Sequence, residues 1–178
     1  VNGNSTTTTP FSAEDEPNPV EPYALSKYEA EQALRKLSFE SGMELVIIRP
    51  ALVYGLGVKG NFRSLLTVAE KNLPLPLGAI NNQRSMVALD NLVDLIITCI
   101  THPHAANQTF LVSDDQDIST TQLLEMMTRA AGKFPRLLVV PMSWLRLVGK
   151  LTGKQAVIER LCGDLQVDIS HTKKKLGW

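Results

Sequence analysis

The 178-residue sequence has few cysteines, no net charge and no long hydrophobic run. Its two cysteines, Cys99 and Cys162, are too few for a disulfide framework and cannot hold a zinc ion alone. Its 18 basic and 18 acidic residues cancel, which argues against a nucleic-acid-binding protein that depends on phosphate contacts. Its longest apolar stretches fall far short of the roughly 18–20 residues that cross a bilayer. We therefore expect no metal site, and neither a nucleic acid nor a membrane as a partner.

The composition is that of an ordinary globular protein. Hydrophobic residues make up 44% of the chain and charged residues 20%, so the chain can bury a sizeable core in one domain. No secretory signal peptide is visible, and nothing points to an oxidising compartment. A cytoplasmic location is expected.

Helical and strand-like segments alternate along the chain, which indicates an α/β fold. The predicted helices cover residues 23–40, 61–71, 90–100, 119–131, 141–150, 155–161 and 170–176. The predicted strands cover residues 43–49, 85–89, 108–112 and 136–140. The first strand contains the continuous apolar run 45–48, which is typical of a strand buried on both faces of a parallel sheet. Leu34 and Leu37 are predicted to face inward, and residues 145–151 are predicted to be core.

Tyr23 and Lys27 are the most informative pair of residues. Four residues apart on a helix, they share one face, so the ammonium can lie near the phenol. An ordinary phenol, with a pKa of about 10, is a poor base at neutral pH. A neighbouring cation favours the phenolate, which can then accept a proton from a substrate hydroxyl. Such spacing also arises by chance, so the pair is informative only in its sequence context.

That context is an ordered set of short motifs. They are Pro-Tyr-Ala-Leu-Ser-Lys at 22–27, Arg-Pro-Ala-Leu-Val-Tyr-Gly at 49–55, Arg-Ser-Met-Val at 84–87, Asp-Asn-Leu at 90–92 and Leu-Gly-Trp at 176–178. The set resembles the extended short-chain dehydrogenase/reductase family, in its nucleotide-sugar epimerase/dehydratase branch. The resemblance covers essentially the whole chain but only the C-terminal portion of such an enzyme.

The resemblance implies a fold and a division of the chain. The expected fold is the C-terminal part of a Rossmann-type doubly wound sheet plus a small α/β substrate-capping region. Residues 1–56 and 86–105 would form the later part of the NAD(P)-binding Rossmann domain. Residues 57–85 and 106–178 would form the capping region.

The resemblance also implies catalytic and cofactor-binding roles. Tyr23 would be the acid/base that moves a proton on the sugar hydroxyl. Lys27 would hold the nicotinamide ribose and lower the pKa of the tyrosine. Pro50, Ala51 and Val53 would lie beside the nicotinamide ring of NAD, with NADP as a possible alternative cofactor.

Three further residues match positions that contact the substrate in the family. Asn61 matches a position of the family that contacts the diphosphate of the sugar nucleotide. An asparagine at this position also suits a helix N-cap. Arg84 matches an arginine near the diphosphate, and Arg160 is a second candidate with a less certain alignment. A guanidinium suits this task because its fork binds two phosphate oxygens. A solvated charge or an ordinary ion pair remains the alternative for each arginine.

The implied activity is epimerisation of a UDP-sugar hydroxyl by a homodimer, with C4 as the expected position. A 4-keto-sugar reductase, a sugar-nucleotide dehydratase and a non-catalytic nucleotide-binding module are the alternatives. The sequence lacks the Gly-x-x-Gly-x-x-Gly turn that meets the cofactor pyrophosphate in this family. The family's catalytic Ser or Thr would fall upstream of Val1. The chain by itself is therefore expected to be inactive.

Overall fold

The chain divides into two compact units. A computed structural model of the protein describes residues 1–57 and 61–178. Unit 1 comprises Val1–Gly55, Ser85–Gln116 and Leu165–Trp178, and unit 2 comprises Leu56–Arg84 and Asp117–Asp164.

The described residues alternate between helices and strands, so the predicted α/β class is confirmed. The helices are α1 (Pro22–Ser41), α2 (Asn61–Lys71), α3 (Leu89–Thr101), α4 (Thr120–Ala130), α5 (Met142–Leu151), α6 (Gln155–Cys162) and α7 (Ser170–Leu176). The strands are β1 (Val46–Pro50), β2 (Leu52–Tyr54), β3 (Met86–Ala88) and β4 (Gln108–Val112). The short strand β2 was not predicted, because only three residues separate Ala51 from the glycine-rich loop that follows.

Unit 1 contains two parallel strand pairs. β1 pairs with β4, with Val46 opposite Gln108, and β2 pairs with β3, with Leu52 opposite Met86. The Ala51 amide donates to the Val112 carbonyl at 3.0 Å, so hydrogen bonding to the β4 end continues past β1. Because both pairs are parallel, the helices that connect the strands must cover their faces.

The core of unit 1 forms between these strands and the helices α3 and α7. Its buried members are Val87, Leu95, Cys99, Ala105, Phe110, Val112 and Leu176. In α7, the Thr172 hydroxyl donates to the Leu111 carbonyl at 2.6 Å, which fastens the last helix to β4. β4 and α7 therefore pack in unit 1, whereas the resemblance implies that residues 106–178 belong to the capping region.

Helix α1 is held differently from the other helices of unit 1. It begins at Pro22, where a missing amide costs nothing, and ends before Gly42, whose φ of 74° is the left-handed conformation that glycine tolerates. Its one buried residue is Glu31. Leu34 and Leu37 are exposed, so the prediction that they face inward is wrong. The described chain provides no surface for that apolar stripe to pack against.

Unit 2 consists of two helix pairs and extended segments. α2 packs against α4, and α5 packs against α6. Its core contains the buried residues Leu77, Ile80, Leu124 and Leu145. The predicted strand at 136–140 is wrong: this segment makes only one parallel bridge to the described residues, between Leu137 and Leu75. The prolines at 74 and 76 keep this segment extended and prevent a longer ladder.

Candidate active site

Tyr23 and Lys27 lie on one face of the first two turns of α1. The Lys27 Nζ atom is 5.4 Å from the centroid of the Tyr23 ring, which is within the range of a cation–π contact. Both side chains are exposed, and 73% of Tyr23 is accessible. The i, i+4 spacing therefore brings the two groups together as the sequence predicts, and leaves the phenol open to a ligand.

One turn further along the same face, Glu31 forms a buried ion pair with Arg49 of β1. Arg49 Nε lies 3.0 Å from Glu31 Oε1, and Nη2 lies 2.6 Å from Oε2. The two side chains are only 11% and 10% exposed. Such a bidentate pair fixes orientation as well as distance, because two parallel hydrogen bonds resist rotation. It attaches helix α1 to β1 one turn beyond Lys27, while Tyr23 and Lys27 stay exposed.

Arg49 also reaches the first residues of the chain. Its Nη1 atom donates to Asn2 Oδ1 at 3.0 Å, and the Asn2 amide group donates to the Ser12 carbonyl at 3.0 Å. One guanidinium thus joins the N-terminal segment, helix α1 and strand β1. No residue of this network was predicted. The available signal was an arginine that ends an apolar, buried strand, since a charge in that position requires a partner.

The segment predicted to flank the cofactor follows Arg49 directly. Pro50 is the last residue of β1 and lies opposite Val112 at the carboxyl end of β4. Ala51 and Val53 are half-buried, and Val53 pairs with Val87. Ligands of open α/β sheets bind outside the carboxyl ends of parallel strands. The position of these residues is therefore compatible with the predicted cofactor role.

A second polar network closes the end of β2. The Tyr54 hydroxyl donates to Asp114 Oδ2 at 2.7 Å, and Asp114 Oδ1 accepts from the Ala88 amide at 3.0 Å and from Asn91 Nδ2 at 2.8 Å. The hydrogen bond to the Asp114 carboxylate, followed by burial and by the carboxylate charge, raises the pKa of Tyr54 to about 12. One carboxylate thus ties together β2, the start of α3 and the loop after β4. No pattern in the sequence indicates this network.

In unit 2, Arg84 and Arg160 come close together. Arg84 Nη1 donates to the Arg160 carbonyl at 2.6 Å and to the Gly163 carbonyl at 3.3 Å. Burial, and then the positive charge of Arg160, lower the pKa of Arg84, whereas Asp164 opposes this effect. The structure therefore places two of the predicted substrate-binding cations in one neighbourhood. The Asn61 side chain, the third predicted contact, lies outside the described residues.

Residues 1–113 match the model of the NAD dependent epimerase/dehydratase family. The chain belongs to this family. The family model thus covers the segment that contains Tyr23, Lys27 and Arg49, while Arg160 lies beyond it.

Individual relatives agree with this assignment. The chain is 53% identical over 180 residues to a UDP-glucose 4-epimerase of Vibrio cholerae, an alignment that covers 100% of this chain and 55% of the relative. A Thermotoga maritima UDP-glucose 4-epimerase solved with UDP-glucose is 20% identical, with a TM-score of 0.71 over 99% of this chain and 53% of that one. A Bacillus cereus UDP-glucuronic acid 4-epimerase solved with NAD is 16% identical, with a TM-score of 0.73 over 97% of this chain and 51% of that one.

These comparisons confirm the predicted fold class, part of a Rossmann-type α/β fold. They also confirm that the chain resembles nucleotide-sugar epimerases. The chain spans about half the length of the curated relatives and solved structures that it matches.

We predict that Glu31→Gln lowers the free energy of unfolding by about 3–5 kcal/mol, because it leaves the Arg49 charge buried without its partner. Glu40→Gln in the same helix is the matched control. Its partner Lys36 is 3.8 Å away and both side chains are exposed, so a change below about 0.5 kcal/mol is expected. Urea unfolding of the two variants provides the measurement. If both variants lost the same free energy of unfolding, the Glu31–Arg49 pair would contribute no more to stability than a surface ion pair.

The raised pKa of Tyr54 predicts a pH dependence. A phenol whose folded-state pKa is about 12, against an ordinary 10, stabilises the fold fully below pH 10 and ceases to do so as the pH rises through 12. The stability difference between the natural chain and Tyr54→Phe should therefore shrink over this interval. Tyr28→Phe should show no such convergence in thermal unfolding. The prediction would be contradicted if the difference in stability between the natural chain and Tyr54→Phe stayed constant from pH 10 to 12.

Proposed function

We propose that this chain is the C-terminal portion of an NAD-dependent nucleotide-sugar epimerase that inverts C4 of a UDP-sugar. The observation that carries the proposal is the exposed Tyr23 phenol with the Lys27 ammonium beside its ring, on a helix face fixed to β1 by the Glu31–Arg49 pair. The family membership and the identity to the Vibrio cholerae relative support it.

The residues of unit 1 suit the nicotinamide-ribose half of NAD. The Lys27 ammonium has three N–H donors for ribose hydroxyls, and Ala51 and Val53 offer apolar surface at the end of β1 and in β2. When bound, NAD would supply hydride transfer to and from the sugar carbon. The chain has no glycine-rich turn for the pyrophosphate, so these residues account for only one part of a cofactor site.

Tyr23 would move the proton. Its hydroxyl oxygen would take the proton of the sugar hydroxyl as the carbinol is oxidised, and would return it after the ketone is reduced from its other face. The rigid Glu31–Arg49 attachment of α1 would keep the phenol in place, which reduces the cost of orienting the reacting groups.

Arg84 and Arg160 would bind the diphosphate of the UDP-sugar. Two neighbouring guanidiniums suit a doubly charged diphosphate, because its charge would offset their mutual repulsion. Because Arg84 Nη1 already bonds two carbonyls, its remaining N–H groups would face the ligand. We retain Asn61 as a third proposed contact.

We further propose that the complete enzyme is a homodimer that associates through α1. The exposed side chains of Leu25 and Phe39 lie on the side of this helix opposite Tyr23 and Lys27, and they form an apolar surface that the described chain leaves uncovered. Burial of such a surface between two copies is a common reason for its presence on a folded protein.

A hybrid enzyme tests the catalytic role of Tyr23. In it, this chain replaces the matching region of the Vibrio cholerae relative, and conversion of UDP-glucose into its C4 epimer is measured with NAD present. Tyr23→Phe should lower kcat by about 10²–10⁴, the usual range for loss of a general acid/base. The isolated 178-residue chain should show no turnover.

Tyr28→Phe, also in α1, is the matched control and should leave the rate within a few-fold of the unmodified hybrid. A Tyr23→Phe hybrid that keeps nearly full activity would remove Tyr23 from the mechanism. Turnover by the isolated chain would refute its expected inactivity.

The same hybrid tests Arg84. Arg84→Lys keeps the positive charge but removes the planar guanidinium with its several N–H donors. We expect KM for UDP-glucose to rise by about 10–100-fold, the effect of losing a charged hydrogen bond, with a smaller change in kcat. Arg129→Lys, an exposed arginine in α4, should change neither value. If Arg84→Lys lowers the melting temperature while KM stays unchanged, Arg84 serves only to hold the carbonyls of Arg160 and Gly163.

A further inference from the structure

Helix α5 has two apolar faces, and the inner one is accounted for by packing. Leu145 and Gly149 are buried against α6. A Cβ atom on Gly149 would lie 2.8 Å from Ile158 Cγ1, so the absence of a side chain is what allows the close approach of the two helices. This contact fixes which way the remaining faces of α5 point.

The outer apolar face points to solvent. It consists of Trp144, Leu147, Val148 and Leu151, spaced i, i+3, i+4 and i+7 so that they form one stripe. These side chains are 63%, 51%, 52% and 78% exposed, respectively. The prediction that residues 145–151 are core is therefore correct for the inner face and wrong for the outer one. No described residue covers the outer face.

Positive charge accompanies this stripe. Residues 126–158 include six Lys and Arg and not one Asp or Glu, in a chain whose net charge is zero. On the helical wheel, the side of the stripe that ends at Leu147 continues with Ser143, then Lys150 and then Arg146, and Lys154 follows the helix. All three basic residues are exposed, and no described carboxylate pairs with Arg146 or Lys150.

We propose that the outer face of α5 docks on an anionic lipid surface. An amphipathic helix with a tryptophan, aliphatic residues and a basic border inserts its apolar stripe below the headgroups while its cations contact lipid phosphates. A second copy is a poorer occupant, because two such faces would oppose positive charge to positive charge. The proposed contact is peripheral, and among the described residues no helix is long and apolar enough to cross a membrane. It departs from the expectation of no membrane partner and does not depend on the proposed epimerase activity.

Sedimentation of the 178-residue chain with vesicles tests this proposal. Vesicles of phosphatidylcholine with one quarter phosphatidylglycerol should bind the chain at least tenfold more strongly than pure phosphatidylcholine, and salt should weaken that binding. Leu147→Gln with Leu151→Gln should abolish it. Arg146→Gln with Lys150→Gln should weaken it about 25-fold, at about fivefold for each basic residue near the surface.

Two double variants outside α5 control for non-specific binding to vesicles through exposed apolar residues or through positive charge. Leu34→Gln with Leu37→Gln removes an exposed apolar pair from α1, and Lys174→Gln with Lys175→Gln removes two exposed lysines from α7. Both should bind vesicles like the natural chain, and circular dichroism should show that all variants are folded. The proposal is overturned if anionic vesicles do not bind the chain, or if the control pairs lose binding as the α5 variants do. It is also overturned if the α5 changes alter the oligomeric state instead of vesicle binding.

Discussion

The contact on which the candidate site depends is the buried pair of Glu31 and Arg49. Helix α1 has little else in the described chain to hold it, since its other side chains are at least partly exposed and its apolar stripe faces solvent. The carboxylate and the guanidinium satisfy one another with two hydrogen bonds, and Asn2 takes a third N–H group. A buried charge pair is costly to desolvate, so its value here lies in orientation more than in stability. It connects the proposed acid/base to the strand that leads into the proposed cofactor segment.

Asp114 plays a similar part at the other strand pair. Its carboxylate accepts hydrogen bonds from a tyrosine hydroxyl, a backbone amide and an asparagine side chain, each from a different place in the sequence. In unit 1, polar side chains thus position the ends of strands, while apolar side chains form the core behind them. In unit 2, the Arg84 side chain has a structural role through the carbonyls of Arg160 and Gly163, in addition to the diphosphate contact that we propose for it.

The sequence was sufficient for much of the fold and for part of the site. Periodicity and capping located all the described helices, because Pro22, Gly42 and Ser119 mark helix ends by local chemistry. It failed at 136–140, where an apolar β-branched run makes only a single bridge, and at Leu34 and Leu37, whose exposure depends on what lies beside α1. The Tyr23–Lys27 geometry was predictable because both residues lie on one helix. The pairings Glu31–Arg49 and Tyr54–Asp114 were not, since they join residues 18 and 60 positions apart and only the tertiary fold brings them together.

The glycine at 149 has a consequence for how the protein can diverge. A methyl group there would lie 2.8 Å from Ile158 Cγ1, so a substitution would force a shift between the two helices. The opposite side of the helix bears no such constraint from the described residues, which leave its side chains exposed. Related proteins can therefore exchange the outward residues freely, and acquire or lose an attachment there, while the hairpin beneath stays the same.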